Sequence, residues 1–425
     1  MERLAIIGTG IAGMGAAYHL KDHYDLTLFE KNNYVGGHTN TIKIDEDGAN
    51  VFVDTGFMVF NKITYPNLTR LFEELNVEIK KTDMSFSVQH VPSKLEYNGS
   101  GISGLFSQRK NILNPSFIKM IIQINRFNQE CLEVLDTDKF AGYTIQEYID
   151  EKGYGNDFLM KYLVPMSSAV WSTPPDKMLH FPASTLVRFF YNHGFLGLDT
   201  QHQWYTVVNG SQAYREKLID SFRDKISVGN GVKTVRRENG KIIVVTDDGS
   251  QHEFDKVVFA SHADETLNML SDANELENRL LSPFKYELNR ATLHTDITVM
   301  PKLRRVWSSW NYRIEKKEEE LKSSTIYYMN MLQQVSEKRD YFVSINDPGS
   351  IDERKIIKDI LYHHPLFSVD TIEAQKELSK LNEQSNNTYF CGSYFKYGFH
   401  EDAYTSGLNL SKHLIAEKSH ELTLV

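Results

Sequence analysis

A glycine-rich turn near the start of the chain constrains the fold more than any other feature. The stretch "AIIGTGIAGMGAA" begins at Ala5, and its glycines follow the spacing G-x-G-x-x-G. Apolar residues before the turn predict a buried strand, those after it predict a helix, and "DLTLFE" predicts a second strand ending at Glu30. In such a β-α-β unit the glycines admit a pyrophosphate, and an acid about 20 positions on binds a ribose. We therefore predict a bound dinucleotide, held by Gly8, Gly10, Ile11, Ala12, Gly13 and Glu30.

Charge and cysteine content exclude several other classes of function. The 425 residues carry a formal net charge of -9, so no nucleic-acid partner is expected, because a phosphate backbone requires a basic face. Cys131 and Cys391 lie far apart and form no C-x-x-C pair, so we predict neither a disulfide framework nor a metal site. The sequence has neither a secretory leader pattern nor an apolar stretch of membrane-spanning length. These features favour a globular cytoplasmic protein.

A second glycine motif distinguishes between nicotinamide and flavin dinucleotides. Residues 30–41 read "EKNNYVGGHTNT", and this stretch resembles the second glycine motif of the flavin amine oxidase and phytoene desaturase superfamily. A turn without a ligand would explain the glycine pair taken alone. The superfamily commonly has Arg where this chain has His38, and a neutral imidazole is the weaker partner for an anion. The resemblance implies cofactor contacts by Lys31, Gly36, Gly37, His38 and Thr39.

Two further segments resemble the same superfamily and identify the expected cofactor as FAD. Residues 52–77 contain "FVDTGF", similar to the flavin-side turn, and residues 389–415 resemble the C-terminal flavin motif, with a helix expected to begin around Glu401 to Ala403. A strand near Val232 is expected to pass the adenine. The resemblance adds these cofactor contacts: Thr55, Gly56, Phe57, Val232, Gly392, Phe399, His400, Glu401, Asp402 and Ala403.

The resemblance also implies the fold. We expect an α/β protein with a Rossmann-type FAD-binding domain, similar to that of glutathione reductase, and an inserted α+β substrate domain, as in flavin amine oxidases. The FAD domain is predicted from three pieces, residues 1–76, 204–286 and 385–425. Residues 77–203 and 287–384 are predicted to form the substrate domain over the flavin.

Motifs along nearly the whole chain resemble one branch of the superfamily. They include "GGHTNT", "DTGFMVFN", "VWSTPPDKMLHFPASTL" and "QWYTVVNGSQAY". The branch comprises predicted NAD/FAD-binding proteins, bacterial ones among them, related to the N-terminal flavin region of plant cyclopropane fatty acid synthases. It implies a dehydrogenase or desaturase that transfers a hydride from a methylated or cyclopropane-type fatty acyl chain, free or phospholipid-bound, to flavin N5. Two alternatives stay open: an oxidase of a small amine, and a non-catalytic FAD-binding partner of a fatty acyl methyltransferase.

One segment suggests how a lipid could be reached. Residues 114–135 predict a helix with Phe117, Ile121, Ile124, Phe127 and Cys131 near helical spacing, and Arg109 and Lys110 precede it. Core packing is the interpretation we favour for this helix. The alternative is a peripheral contact with the anionic inner face of the membrane, where a lipid tail would enter.

Candidate catalytic residues are few. Phe399 stands where amine-oxidising relatives have one wall of an aromatic cage. Those relatives often place a Lys on a substrate-domain strand near the flavin, and the corresponding stretch "NRATLHTDITV" has His294 and no Lys. His294 and His400 are therefore candidate proton acceptors, because the pKa of histidine lies near working pH. A structural role is the alternative for each.

Overall fold

The structure, a computed structural model, describes residues 1–197 and 200–423. Its first main element is a parallel sheet whose five strands are, in spatial order, Ile226–Val228, Asp25–Glu30, Arg3–Ile7, Lys256–Phe259 and Thr388–Phe390. All neighbouring pairs run parallel. Their carboxyl ends therefore meet at one edge, where sheets of this kind bind ligands.

Two helices pack together on one face of the parallel sheet. The first, Ile11–Leu20, follows the glycine turn and lies along the last helix, His400–Thr423. Small residues allow this close approach. A Cβ added at Gly15 would lie 2.7 Å from the ring of Tyr404, and one added at Gly407 would lie 2.4 Å from the carbonyl oxygen of Ala12.

A three-stranded antiparallel sheet covers the opposite face of the parallel sheet. Its strands are Val232–Glu238, Lys241–Thr246 and Gln251–Phe254, and the helices Ala263–Met269 and Glu275–Leu281 pack beside them. The parallel strands are thus buried on both faces, which explains their continuous apolar runs "LAII" and "VVF".

The second main element is a seven-stranded mixed sheet. Its strands, in spatial order, are Ile356–Leu366, Lys285–His294, Phe342–Ile345, Glu320–Tyr328, Trp310–Lys317, Phe86–His90 and Leu95–Asn98. Only the pair Trp310–Lys317 and Phe86–His90 runs parallel among the described strands of this sheet. Two small antiparallel sheets join the main elements, one of Thr41–Glu46 and Ala49–Asp54, the other of Phe60–Asn61, Trp204–Val207 and Ile79–Thr82.

A helical segment packs against the seven-stranded sheet through a shared aromatic core. Its α-helices are Gly101–Leu105, Pro115–Glu130, Glu133–Asp136, Ile145–Lys152, Asn156–Phe158, Val164–Trp171, Pro175–Leu179 and Ala183–Asn192. The other α-helices are Pro66–Glu74, Gln212–Ile219, Met329–Leu332, Val369–Gln375 and Ser379–Glu383. Among the described residues, no helix combines the length and the apolar composition needed to cross a bilayer.

The helix predicted over residues 114–135 differs from the observed one. Asn114 ends the preceding turn, because its side-chain oxygen accepts the N–H groups of Ser116 and Phe117 and so caps the helix Pro115–Glu130. A separate short helix, Glu133–Asp136, follows. The buried positions Phe117, Phe127 and Cys131 pack in the aromatic core, as the favoured interpretation of this segment requires.

The strands are distributed along the chain in an interleaved order. The parallel sheet takes its strands from residues 3–30, 226–259 and 388–390, whereas the seven-stranded sheet takes its strands from 86–98 and 285–366. The exact domain boundaries stay a prediction.

Candidate active site

A cavity of about 820 Å³ lies between the carboxyl edge of the parallel sheet and the seven-stranded sheet. Residues that follow the parallel strands line one side, and residues of the strand Ile356–Leu366 line the other. The structure brings most of the predicted cofactor-binding residues into this wall: Gly8, Gly10, Ile11, Ala12, Glu30, Lys31, Gly37, His38, Gly56, Phe57, Val232, Gly392, Phe399, His400 and Ala403.

The first glycine turn has the shape of an anion cradle. Gly8 has a φ of 101°, and a Cβ added there would lie 2.8 Å from the carbonyl oxygen of Ala260. A Cβ at Gly13 would lie 2.0 Å from the carbonyl oxygen of Gly8, whereas a Cβ at Gly10 would meet only open space. Gly10 caps the first helix without a side-chain hydrogen bond. The N–H groups of the first turn are therefore left for a phosphate.

Polar residues at the end of the second parallel strand form the predicted ribose end of the cavity. Glu30 Oε1 accepts hydrogen bonds from the backbone and the side chain of Asn32, both at 2.9 Å, and its Oε2 accepts from Thr9. These bonds hold the carboxylate at the edge of the sheet. Lys31 forms an ion pair with Glu265 beside it, and Val232 lines the same part of the wall.

The second glycine turn packs directly on the first. Gly36 and Gly37 have φ values of 126° and 58°, and a Cβ at Gly37 would lie 3.3 Å from the Cα of Gly10. His38 Nε2 is buried and has no hydrogen-bond partner within the described part of the chain. Burial and neighbouring histidines hold the pKa of His38 well below its usual value. An orphaned ring nitrogen beside the phosphate cradle fits a bound diphosphate, so the site fits FAD.

Some predicted cofactor-binding residues lie behind the wall. Thr39 bonds to the hydroxyl of Tyr214, and Thr55 Oγ1 lies 2.8 Å from the hydroxyl of Tyr362. Thr39 supports the lining residue His400 through Tyr214, and Thr55 supports the lining residue Tyr362 directly, so sequence spacing alone did not separate the two roles. The residues outside the lining are Gly13, Gly36, Thr39, Thr55, Glu401 and Asp402.

The C-terminal motif forms a tight loop before the last helix. That helix begins at His400, close to the predicted start around Glu401 to Ala403. Asp402 Oδ2 accepts the backbone N–H groups of Tyr397 and Phe399, at 3.2 and 3.0 Å. Burial raises the pKa of Asp402 to about 7. Glu401 faces away from the cavity and accepts the N–H groups of Asn67 and Leu68.

His400 is held firmly in the wall. Its ring stacks on Phe57 with centroids 3.9 Å apart, and its Nε2 lies 2.6 Å from the hydroxyl of Tyr214. Burial lowers the pKa of His400 to about 3. The ring is therefore neutral and its Nε2 already has a partner. A catalytic role for His400 stays a prediction.

Aromatic and aliphatic side chains line the other half of the cavity. Phe399 stacks on Phe189 with centroids 4.9 Å apart and lies 5.9 Å from Trp171. We call this part of the wall the aromatic half: Met58, Val59, Tyr65, Met84, Val170, Trp171, Phe189, Phe195, Trp204, Trp310, Tyr327 and Phe399. Phe399 thus lines the cavity among other aromatic rings, and its role as a cage wall and in catalysis stays a prediction.

The histidine cluster, which comprises His38, His262, His363 and His364, lines the cofactor side of the cavity. Sequence reasoning missed three of these residues, because they come from distant segments. The ring of His38 lies 5.1 Å from that of His364, and burial lowers the pKa of His364 to about 4. No group of three or more metal-ligating side chains with the geometry of a metal site occurs in the described ranges.

His294 does not reach the cavity. Its Nε2 lies 2.8 Å from the hydroxyl of Ser344, and its Nδ1 accepts the backbone N–H of Asp296. Side chains alternate along a strand, so His294 faces away from Asn289, which does point to the cavity side and bonds to His364. The structure therefore corrects the candidate: His294 has a structural role, whereas Asn289, through His364, and Tyr286, which stacks on His262, connect this strand to the site.

Comparisons with known proteins agree with this geometry. The family model "Flavin containing amine oxidoreductase" matches residues 11–296. The 15-cis-phytoene desaturase of Synechococcus elongatus is 39% identical over 77 residues, which are 18% of this chain and 15% of the relative. The chain thus matches only a small part of that curated relative.

Solved structures share the fold over nearly the whole chain. A CLA-producing fatty acid isomerase from P. acnes superposes with a TM-score of 0.68 at 15% identity, covering 97% of this chain and 98% of the other. A double mutant of putrescine oxidase superposes with a TM-score of 0.67 at 12% identity, covering 98% of this chain and 99% of the other. Because the family model matches more than half of its residues, this chain belongs to the flavin-containing amine oxidoreductases, whose cofactor is FAD.

Proposed function

We propose that this FAD-dependent oxidoreductase is a dehydrogenase or desaturase of a fatty acyl chain, methylated or of cyclopropane type, free or esterified in a phospholipid. The observation that carries the proposal is the chemistry of the aromatic half. The lining residues from 56 to 204, together with Trp310 and Tyr327, include no Asp, Glu, Lys or Arg, and the charged residues that the described lining does contain all lie towards the predicted ribose end: Glu30, Lys31, Asp247 and Glu265. A long hydrocarbon gains from burial against such a wall and needs no charged partner.

Bound FAD supplies the acceptor for a hydride from one carbon, while the neighbouring carbon loses a proton and a double bond forms between them. The chain itself contributes a water-excluding wall. Trp171, Phe189 and Phe399 contact one another and enclose the acyl chain beside the loop that precedes the last helix. The fatty acid isomerase of similar fold supports the proposal at the level of fold alone.

An amine substrate is the second candidate, because the rings of Trp204 and Tyr65 are faces to which an ammonium group is attracted. The carboxylates in the described lining, Glu30, Asp247 and Glu265, all belong to the predicted ribose end, so none is available beside Tyr65 and Trp204 to pair with that ammonium group. This difference favours the acyl substrate.

Anaerobic titration of the visible flavin band tests the proposal. Lipid extracts from cells with and without a fatty acyl methyltransferase are added to the purified protein, and a panel of small amines serves as the comparison. We expect bleaching by the methylated extract alone, with a product two hydrogens lighter by mass spectrometry. Bleaching by an amine would overturn the acyl assignment. If neither the extracts nor the amines bleach the flavin, although dithionite still reduces it, the result would favour a non-catalytic partner of the methyltransferase.

We also propose that the protein takes its lipid from an anionic membrane surface. Four apolar side chains are exposed close together in the sequence, and the most exposed, Leu113, is 88% accessible. No Asp or Glu occurs from residue 97 to residue 129, although the whole chain is acidic. We call these exposed residues the basic apolar patch: Ile102, Arg109, Lys110, Ile112, Leu113, Lys119 and Ile122. Apolar side chains between cations suit an anionic bilayer.

Sedimentation with vesicles tests the patch. The wild type is expected to sediment with vesicles rich in phosphatidylglycerol at low salt and to release at high salt. The double variant Leu113→Ser, Ile122→Ser should lose this binding. Leu321→Ser is the matched control, since Leu321 is also exposed but lies on the hairpin Trp310–Lys317 to Glu320–Tyr328. If the double variant sediments as strongly as the wild type, the proposed membrane contact of the patch is overturned, and the acyl assignment is unaffected.

A further inference from the structure

Two asparagines connect a backbone amide to the ring of His364. The N–H of Arg290 donates to Asn346 Oδ1 at 3.0 Å. A backbone N–H can only donate, so this bond fixes which end of the Asn346 amide is oxygen. Asn346 Nδ2 then donates to Asn289 Oδ1, and Asn289 Nδ2 donates to His364 Nδ1 at 2.8 Å. The direction of every bond in this series follows from the first.

The series determines the tautomer of His364. Because Nδ1 accepts a hydrogen bond, the neutral ring carries its hydrogen on Nε2. Burial lowers the pKa of His364 to about 4, with His262 and His363 contributing, so the ring is neutral near pH 7. The ring lines the cavity, and within the described residues Nε2 has no protein partner. His364 therefore offers an N–H donor to whatever occupies the cavity.

The neighbours of His364 belong to the cofactor motifs. Its ring lies 5.1 Å from that of His38 in the second glycine motif. The same strand carries Tyr362, whose hydroxyl bonds to Thr55 in the flavin-side turn, and Tyr362 stacks on His38. These contacts connect His364 to two of the cofactor turns.

We propose that His364 donates a hydrogen bond from Nε2 to an acceptor atom of FAD, and that Asn289 and Asn346 are positioning residues that hold it in the donating tautomer. The acceptor is an oxygen or nitrogen of either the diphosphate or the flavin ring. The strand Lys285–His294, which corresponds to the one that often carries a lysine in amine-oxidising relatives, thus contributes the amide of Asn289. The proposal rests on FAD as cofactor and is independent of the acyl substrate.

The first test reads the tautomer directly in the apoprotein. Nitrogen–proton correlation NMR on protein labelled with ¹⁵N-histidine, with the His364 signal assigned by its loss in His364→Gln, should show hydrogen on Nε2 and no titration between pH 6 and pH 8. Asn289→Asp should reverse the tautomer, because an ionised carboxylate can only accept and would draw the hydrogen to Nδ1. His252→Gln, on the outer three-stranded sheet, is the control. A wild-type ring with hydrogen on Nδ1 would overturn the proposal.

The second test measures binding of FAD, ADP and riboflavin. His364→Leu removes the donor and should weaken FAD binding about tenfold, whereas His364→Gln keeps an N–H donor and should recover most of the affinity. Weakened ADP binding would assign the acceptor to the diphosphate, and weakened riboflavin binding would assign it to the flavin portion. Unchanged affinity for all three ligands in His364→Leu would overturn the proposal, whatever the outcome with acyl substrates.

Discussion

The ring of His38 stacks on the ring of Tyr362, with centroids 4.7 Å apart and planes inclined by 24°. This contact joins the second glycine turn to the strand Ile356–Leu366 of the seven-stranded sheet. The hydroxyl of Tyr362 adds bonds to Asn40 and Thr55 at 3.0 and 2.8 Å. One side chain therefore holds two cofactor turns against the second sheet.

Replacing Tyr362 should separate the contributions of its ring and its hydroxyl to FAD binding. Tyr362→Phe keeps the stacking on His38 and loses the two hydrogen bonds, so we expect FAD affinity to fall by less than about tenfold. Tyr362→Ala loses both the stacking and the two hydrogen bonds. It should lower FAD affinity further than Tyr362→Phe does, because the cofactor turn loses its packing partner. Fluorescence quenching of added FAD measures both. Equal affinities for the two variants would show that the ring makes no contribution.

FAD affinity should depend on pH through His38. The apoprotein holds the pKa of His38 well below its usual value, and a diphosphate placed beside Nε2 would raise that pKa. Binding then takes up a proton, so affinity should rise as pH falls from 8 to 6, by at most about tenfold per pH unit for one proton. Dissociation constants of FAD measured across this pH range test whether affinity rises as pH falls. His38→Gln should flatten the dependence, and a wild-type profile that is already flat would contradict the prediction.

The two glycines of the first turn should respond differently to alanine. Gly10→Ala adds a Cβ in open space, so the apoprotein should keep its melting temperature while FAD binding weakens, because the methyl group enters the phosphate cradle. Gly13→Ala adds a Cβ 2.0 Å from the Gly8 carbonyl oxygen, so the apoprotein should lose about 1–3 kcal/mol of stability. Thermal melts with and without FAD separate the effect on FAD binding from the effect on stability. A Gly10→Ala apoprotein as unstable as the Gly13→Ala apoprotein would contradict the prediction.

Local spacing was enough to select residues that line the predicted cofactor edge of the cavity, because each of its signals lies within one β-α-β unit or one turn. Gly8, Gly10, Glu30 and His38 all line the cavity as expected. The same reasoning could not separate residues that line the cavity from residues that pack behind the lining, such as Thr39, because both kinds belong to the same motif.

The remainder of the site depends on which strands become neighbours. His262 and His364 are about 100 residues apart in sequence and meet only through the two sheets. His294 was misassigned because strand alternation determines its face, and a one-residue difference in register turns a side chain to the opposite side. The pair "HH" at 363–364 was the available signal, but nothing local connects it to a glycine turn.

Asp402 should make the stability of the apoprotein depend on pH. Its pKa is raised by burial to about 7, whereas the unfolded chain releases the proton near pH 4. Between these values the folded protein binds more protons than the unfolded one, so stability should fall as pH rises from about 4 to about 7, by up to about 1.4 kcal/mol per pH unit. Urea denaturation at several pH values measures this slope.

Asp402→Asn is the variant that isolates this carboxyl group. Both backbone N–H groups of the loop donate to the same oxygen, Oδ2, so the amide oxygen of Asn can accept them and keep the loop closed. Glu401 also has a raised pKa and remains in both proteins, so the difference between their slopes reports Asp402 together with its charge interaction with Glu401. We expect Asp402→Asn to be the more stable protein above pH 7 and to have the flatter profile. Asp402→Ala, which leaves both N–H groups without an acceptor, should be less stable at every pH. If the Asn variant kept the wild-type slope, the raised pKa of Asp402 would be wrong, and the carboxylate would be ionised in the folded loop.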